Sequence, residues 1–332
     1  MAGPRRQEAE GAERYSTRVP ADRTGHYKRS MTSTATATHQ SGNAARLAPP
    51  ALLLGAVAIG LTPIFVRLSD LGPVAIGFWR ILFSLPALGV WMALEAGGTR
   101  APRRPAALRD RARLAAAGAF LALDLAVWHW SLTFTTVANA TLLGNFAPVF
   151  VALASWILFG QRFTPLFLAG LALSIAGACV LMGGGFGLGS QHPLGDGLAL
   201  VAAVFYAGYM VTVGRLRREF STATIMLWSG VAAAAVLLPL TILSGEALLA
   251  PSLYGWAVVA ALGLLCHAGG QSLIAYALAH LSAAYSSVAL LLQPAIAAGL
   301  AWVLLAEPLG LWDALGAAVI LAGIVLARLG SR

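Results

Sequence analysis

The sequence predicts an all-α polytopic membrane protein with ten transmembrane helices in two inverted five-helix repeats. Of its 332 residues, 58% are hydrophobic and only 11% are charged, whereas a soluble domain carries roughly 25% charged residues. Residues 134–180 also recur, without a gap, as residues 280–326. The matched positions Pro148, Trp156, Leu158, Gly170 and Gly177 recur as Pro294, Trp302, Leu304, Gly316 and Gly323. Finally, arginine is concentrated in alternate connections between the apolar stretches.

Ten stretches are apolar for long enough to cross a bilayer, whose hydrocarbon is roughly 30 Å thick and needs about 20 helical residues. They cover residues 50–68, 73–94, 114–131, 137–159, 165–184, 194–213, 221–243, 254–276, 283–305 and 311–328. Because five spans per repeat is an odd number, the second repeat must enter the bilayer upside down relative to the first. Inverted repeats of this kind are typical of secondary transporters.

Charge alternates from one connection to the next. One set of connections carries Arg100, Arg103, Arg104, Arg109, Arg111, Arg113, Arg162, Arg215, Arg217, Arg218, Arg328 and Arg332. The other set carries Asp70, Asp196, Glu246, Glu307 and Asp313, with no Lys or Arg. Because basic connections stay in the cytoplasm, we expect a multi-pass protein of the cell inner (plasma) membrane with both termini cytoplasmic. This topology explains the net charge of +9, and no nucleic-acid partner is expected.

Three regions follow from the hydropathy pattern. Residues 1–48 are rich in Arg, Ser, Thr and Ala without apolar periodicity, which predicts a disordered basic cytoplasmic tail; Met31 is an alternative start. The five-helix repeats are expected over residues 49–185 and 194–328. Cys179 and Cys266 lie inside predicted spans, so neither a disulfide framework nor a metal site is expected, and no cofactor is implied.

Several motifs in the two halves resemble one known family. In the first half these are Trp128-His129-Trp130-Ser131 and the run from Val137 to Pro148. In the second half they are Leu290-Leu291-Leu292-Gln293-Pro294, Glu307-Pro308-Leu309 and the pair Gly316 and Gly323. The chain resembles, from residue 50 to 328, EamA-type members of the drug/metabolite transporter superfamily. The resemblance implies a central cavity and alternating access for small metabolites, often exported. One departure is Gln161, where the family usually has Glu; Glu307 keeps that residue in the second half.

Asp124 and Arg80 are charged residues deep inside predicted spans, where a charge costs at least a few kcal/mol and tends to be retained for a role. Asp124 could couple transport to protons or balance a substrate amine; a structural ion pair or hydrogen bond explains it equally well. Arg80 lies roughly 12 Å into its span at 1.5 Å per residue. Its guanidinium could pair with Asp124 or hold a substrate carboxylate, and snorkelling to the outer surface is the alternative.

His267 and Gln271 are four residues apart and therefore share one helix face. The repeat maps Asp124 onto Gly270, beside Gln271, so the three side chains are expected to approach one cavity. A hydrogen-bonded core histidine is the alternative for His267. For His129, between two tryptophans, a membrane-interface position is favoured over a proton relay.

Pro148 and Pro294 fall within predicted spans at equivalent positions, where each removes a helix hydrogen bond and creates a candidate hinge. The neighbouring Asn145 and Gln293 are candidates for lining a substrate cavity, although polar side chains also join helices to one another. The small residues Gly170, Ser174 and Gly177, and their counterparts Gly316 and Gly323, are expected to allow close helix packing. Glu307, before Pro308, is expected to cap a connection.

Other functional classes find little support in the sequence. Asp124 is the only carboxylate deep in a span and no Gly-x-Ser-x-Gly elbow occurs, which disfavours an intramembrane enzyme. A channel would need a repeated charged ring, and a membrane scaffold is the remaining non-transport class. Without a phosphate-binding loop, the sequence predicts a secondary, non-ATP transporter, with export of amino acids or related compounds expected. Uptake and multidrug efflux are alternatives. The expected partners are a small-molecule substrate, protons if transport is coupled, the lipid bilayer and, as an open alternative, a second copy in a homodimer.

Overall fold

The computed structural model describes residues 45–97, 103–131, 133–135, 137–181, 193–305 and 310–331. Residues Leu47–Arg332 form one compact unit. The predicted tail lies almost entirely outside the described residues, and Glu307 lies outside them as well.

Within the described ranges the chain forms ten apolar helices, here named α1 to α10. They are α1 Ala45–Leu68, α2 Pro73–Ala96, α3 Leu108–Ser131, α4 Val137–Gly144 with Ala147–Phe159, α5 Pro165–Leu181, α6 Pro193–Leu216, α7 Thr222–Leu243, α8 Leu253–Ala277, α9 Ala283–Leu290 with Gln293–Leu305, and α10 Leu311–Gly330. All except α5, which has 17 residues, are long and apolar enough to cross a membrane. The predicted all-α polytopic fold is therefore confirmed.

Helix boundaries differ from the prediction where polar residues extend a helix beyond its apolar part. Helix α3 begins at Leu108 rather than at residue 114, so Arg109 and Arg113 belong to its first turns rather than to a connection. This extension is stabilised by ion pairs, because Arg103 pairs with Asp110 at 2.7 Å on the first turn. Hydropathy alone could not predict it, since a charged turn lowers the apolar score without preventing a helix.

Helix starts follow local chemistry. Helices α2, α5 and α6 begin at a proline, a residue whose fixed φ and missing N–H suit the first helical position. Helices α7 and α8 begin after Ser221 and Ser252, whose hydroxyl oxygens accept hydrogen bonds from backbone N–H groups in the first turn. These caps satisfy donors that have no partner inside the helix.

Helices α4 and α9 are interrupted at equivalent places. The first segment of α4 ends at Gly144 and that of α9 at Leu290; the second segments begin at Ala147 and Gln293. Pro148 and Pro294 follow directly, and a proline removes the hydrogen bond to the carbonyl four residues earlier. Both helices are therefore interrupted where a proline is expected to remove a helical hydrogen bond.

Helix α8 contains a ten-residue π-helical segment, Leu262–Gln271, between two α-helical segments. Hydropathy predicts an apolar span here and does not distinguish a π-helix from an α-helix. A π-helix has i→i+5 hydrogen bonds and occurs often at functional sites. Both His267 and Gln271 lie in this segment.

The crossing of α5 and α10 reveals how the two repeats are related. A Cβ atom on Gly323 would lie 2.7 Å from the oxygen of Gly170, and one on Gly177 would lie 2.9 Å from the oxygen of Gly316. The Ser174 hydroxyl donates to the Ile320 carbonyl at 3.5 Å, and the two residues are one repeat length of 146 residues apart in sequence. Early residues of α5 thus meet late residues of α10, so these equivalent helices are antiparallel, as inverted repeats require. The predicted packing role of the small residues is confirmed.

The two ends of the bundle have opposite character. At the acidic end, defined by the contacts of Asp70, Asp196 and Glu246, the Glu246 carboxylate accepts a hydrogen bond from the Ala75 N–H at 2.9 Å. There the Ser252 hydroxyl also donates to Asp70 at 2.6 Å. The arginine-rich end is defined by Arg103, Arg113, Arg215, Arg217 and Arg218, which lie at or near the opposite helix ends.

Candidate functional site

Arg80 lies inside the bundle on α2, seven residues after the first residue of the helix. Its side chain is half-buried. The buried Nε atom has no hydrogen-bond partner. Because an unsatisfied buried donor costs about 1–3 kcal/mol, and more when it is charged, this guanidinium is prepared to bind an acceptor.

Asp124 occupies the corresponding interior part of α3 and is also half-buried. Its carboxylate interacts electrostatically with the Arg80 guanidinium. No ion pair joins the two side chains within the described part of the chain. The structure therefore brings the two predicted residues together as separated opposite charges, an arrangement that leaves both available to a third group.

The second half contributes His267 from the π-helical segment of α8. His267 is 0% exposed, neither of its ring nitrogens has a hydrogen-bond partner, and it lies within the electrostatic range of Arg80. The close approach is possible because a Cβ atom on Gly263 would lie only 2.8 Å from the Arg80 carbonyl oxygen. The π-helix thus packs directly onto α2 beside the charged pair.

Two tyrosines on α6 complete this group and were missed by the sequence reasoning. Tyr206 and Tyr209 both interact electrostatically with Arg80, and their rings are stacked with centroids 6.2 Å apart. The Gln271 side chain reaches the Tyr209 hydroxyl. Their i,i+3 spacing on one face of α6 was the available signal, but tyrosines at helical spacing are also ordinary packing residues.

We call Arg80, Asp124, Tyr206, Tyr209, His267 and Gln271 the central cluster. It is built from α2 and α3 of the first half and from α6 and α8 of the second half. A guanidinium binds a carboxylate through a planar fork, and a carboxylate balances an ammonium group. The cluster therefore has the chemistry to bind a small zwitterion between its two opposite charges.

Asn145 and Gln293 lie at the interruptions of α4 and α9. Both side chains are half-buried, and the Asn145 Nδ2 and Gln293 Nε2 atoms have no hydrogen-bond partner. Gly144, the neighbour of Asn145, packs against Trp128: a Cβ atom at Gly144 would lie 3.7 Å from the Trp128 Nε1 atom. Trp128 lies one helical turn from Asp124, so Asn145 is near the central cluster. No described contact joins Gln293 to Asp124, so the structure does not unite all the predicted site residues.

His129 connects the central cluster to the acidic end. It is 7% exposed, interacts electrostatically with Arg80, and lines a cavity of about 590 Å³. The same cavity is lined by Phe134 from the first half and Glu246 from the second. His129 is therefore enclosed by the protein, whereas its flanking tryptophans predict a position at the membrane interface.

Comparison with known proteins places the chain among transporters. A model of the EamA-like transporter family matches it twice, over residues 47–183 and 193–329. An "Uncharacterized transporter" of Archaeoglobus fulgidus is 28% identical over 270 residues, which cover 79% of this chain and 91% of the relative.

Two further relatives carry more specific names. A "Probable terminal-alkyne amino-acid exporter" of Streptantibioticus cattleyicolor is 30% identical and covers 79% of this chain and 86% of its own length. A "Pseudopaline exporter" of Pseudomonas aeruginosa is 26% identical over 64% of this chain and 73% of its own. A crystal structure with 22% sequence identity superposes with a TM-score of 0.72, covering 88% of this chain and 99% of that chain, which supports the fold.

Proposed function

Because the chain belongs to the EamA-like transporter family, we propose that it is a secondary exporter of amino acids or related small metabolites that works by alternating access. The observation that carries this proposal is the pair of separated opposite charges, Arg80 and Asp124, inside the helical bundle. Arg80 would bind the carboxylate of the solute, and Asp124 would bind its ammonium group or a coupling proton. The name of the Streptantibioticus relative supports the same substrate class.

The remaining members of the central cluster would complete the solute site. His267 and Gln271 would supply polar contacts from the second half, and Asn145 and Gln293 would add hydrogen-bond donors at the helix interruptions. Pro148 and Pro294 would be the hinges, because the helices are already interrupted beside them. Closing the acidic end while the arginine-rich end opens would then expose the cluster to one side at a time.

Orientation follows from the placement of arginine. We assign the arginine-rich end, and with it both chain termini, to the cytoplasm of the inner (plasma) membrane, because basic connections are retained on that side. Export then carries the solute from the arginine-rich end to the acidic end. A homodimer and proton coupling are compatible with this arrangement.

The test is metabolite profiling of medium and cytosol from cells expressing the wild type, Asp124→Asn or an empty vector. We expect one class of compounds to accumulate outside cells with the wild type and this accumulation to be lost in Asp124→Asn at equal membrane abundance. Asp196→Asn is the matched control, since Asp196 accepts a hydrogen bond from Thr135 at 2.6 Å near the acidic end and lies outside the central cluster. Identical profiles for all strains would contradict export.

Asp124 can then be assigned to coupling or to binding with the exported compound in proteoliposomes. If Asp124 carries the coupling proton, Asp124→Asn removes the pH dependence of flux. If it only binds the solute amine, the same variant raises KM and keeps the pH dependence. An unchanged KM together with an unchanged pH profile would exclude Asp124 from both roles.

A further inference from the structure

A second cavity, distinct from the central cluster, lies at the arginine-rich end between the two halves. It has a volume of about 330 Å³ and is lined by the end of α4, the end of α6 and the connection between α8 and α9. Its polar lining residues include Gln161, Arg215, Arg218, His280 and Ser282. The cavity therefore stands where a solute from the cytoplasm would first meet the bundle.

The lining of this cavity is cationic and contains no carboxylate among the residues that the structure describes. Glu219 follows Arg218 directly, but its carboxylate pairs with Arg103 and, at 2.7 Å, with Arg113. Neither Arg215 nor Arg218 takes part in the ion pairs of the described residues. The nearby acidic group is thus already engaged, and the two cavity arginines keep their charge for another anion.

Two further features shape the cavity mouth. The Arg215 guanidinium lies over the Phe159 ring, with Cζ 3.5 Å from the ring centroid, so a residue of the second half is held against one of the first. Burial and the charge of Arg217 lower the pKa of His280 below its ordinary value. The fixed positive charge of the cavity comes from the arginines, whose guanidinium groups stay protonated in proteins.

The internal repeat shows that two lining residues of this cavity are not kept at the equivalent positions of the other repeat. The positions that correspond to Gln161 and His280 are Glu307 and Phe134. The repeat therefore pairs the amide of Gln161 with a carboxylate of the second half, and the imidazole of His280 with an aromatic ring of the first half. An acid at position 161 would partly neutralise Arg215 and Arg218, and the amide leaves them uncompensated.

We propose that this cavity is an entry site that binds the anionic group, carboxylate or phosphate, of the solute before it reaches the central cluster. The inference rests on the proposed function, because it takes the arginine-rich end as the side from which the solute enters. It adds a preference for solutes with an acidic group beyond the α-carboxylate that Arg80 would hold. The amide of Gln161 and the hydroxyl of Ser282 are available as uncharged hydrogen-bonding groups beside the anion.

Binding of L-glutamate and of its neutral isostere L-glutamine to the full-length protein in uncharged detergent tests this inference. We expect the wild type to bind glutamate more tightly. Gln161→Glu and the double variant Arg215→Gln/Arg218→Gln should each weaken glutamate binding about tenfold, as expected when a like charge is added or the attracting charges are removed at short range. Arg162→Gln is the matched control, because Arg162 is exposed on the same connection and does not line the cavity. Equal affinity for both compounds, or insensitivity to the cavity variants, would overturn the proposal.

An anionic lipid head group offers the same chemistry, so a second arm uses nanodiscs of phosphatidylcholine with and without phosphatidylglycerol. Glutamate binding that persists with phosphatidylglycerol supports a soluble solute. The assignment to a soluble solute would be overturned if phosphatidylglycerol stabilised the wild-type protein, Gln161→Glu abolished this stabilisation, and Gln161→Glu left glutamate binding unchanged. Failure of this inference is separable from failure of the proposed function: flux that depends on Asp124 with no effect of the cavity variants contradicts the entry site alone.

Discussion

At the scale of single residues, Glu219 shows how charges at the arginine-rich end are balanced. It belongs to the short connection between α6 and α7 and pairs with Arg103 and Arg113, which precede or begin α3. Hydrogen bonds from Arg113 and Arg103 lower the pKa of Glu219 from its ordinary value near 4.5 to about 2. The ionised carboxylate therefore joins two parts of the chain that are distant in sequence.

This shift predicts a pH-dependent contribution to stability. A carboxylate whose pKa is lowered in the folded state stabilises that state above the unfolded pKa and loses this effect as the pH falls through the folded pKa. We expect Glu219→Gln to lower the melting temperature slightly and by a constant amount above about pH 5. The difference from the wild type should shrink between pH 4.5 and 2.

Melting of the detergent-solubilised protein between pH 2.5 and 7 measures this effect. Glu246→Gln serves for comparison, since Glu246 accepts a backbone hydrogen bond at the other end of the bundle. A difference between wild type and Glu219→Gln that does not change with pH would contradict the assigned ion pairs.

The residues of the central cluster differ in how well the sequence could predict them. Asp124 and Arg80 were identifiable because a charge inside an apolar span is conspicuous, and the structure places them within electrostatic range of each other. Tyr206 and Tyr209 were not identifiable, because an apolar helix tolerates tyrosine for packing alone. Their importance depends on which helix lies opposite, and this is a tertiary property.

At the scale of secondary-structure elements, the interruptions in α4 and α9 are placed for movement. A proline and a missing backbone hydrogen bond weaken a helix at one point and leave its ends rigid. If these points are hinges, Pro148→Ala and Pro294→Ala should reduce the maximal transport rate severalfold while leaving solute binding and membrane insertion unchanged.

Pro86→Ala is the matched control for the hinge variants, because Pro86 lies inside the uninterrupted helix α2 and is exposed. Initial rates in proteoliposomes at saturating substrate measure the effect. Equal rates for the wild type and both hinge variants would exclude the prolines as hinges.

The crossing of α5 and α10 leads to a second prediction at this scale. Gly323→Val would place side-chain atoms against the Ser174 backbone, whose nitrogen lies 2.5 Å from a Cβ atom at position 323. Overpacking of this kind destabilises a protein by about 1–3 kcal/mol. Gly197→Val is the control, since a Cβ atom there meets nothing within 4 Å. Unfolding in increasing denaturing detergent compares the two variants, and equal stability would contradict the close crossing.

The sequence predicts the positions of the helices better than their internal geometry. The ten spans and the proline positions follow from hydropathy and from the chemistry of proline, both of which are local. The π-helical segment of α8 does not, because hydropathy is the same whether a backbone N–H donates to i−4 or i−5. Its geometry accompanies the close contacts of Gly263 with α2 and of Gly270 with α1, where a Cβ atom would lie 2.8 Å from the nearest side chain or backbone atom.

At the scale of the whole molecule, the opposite character of the two ends predicts the orientation in the membrane. In a chain with Cys179 and Cys266 replaced by alanine, Ser244→Cys should react with a membrane-impermeant maleimide in intact cells. Arg104→Cys should react only after permeabilisation. Ser244 lies at the acidic end, and Arg104 lies beside the arginine-rich end. The reverse pattern would invert the direction of transport that we propose.

The contact between α5 and α10 has a consequence for the origin of such a chain. Each helix presents the same row of small residues, and Gly170 and Gly177 meet the counterparts of each other, Gly323 and Gly316. A surface that is its own complement is what an isologous interface between two identical molecules requires. Each half-chain therefore already carries both sides of the interface, and a single five-helix ancestor inserted in both orientations would have had this dimer contact before duplication and fusion.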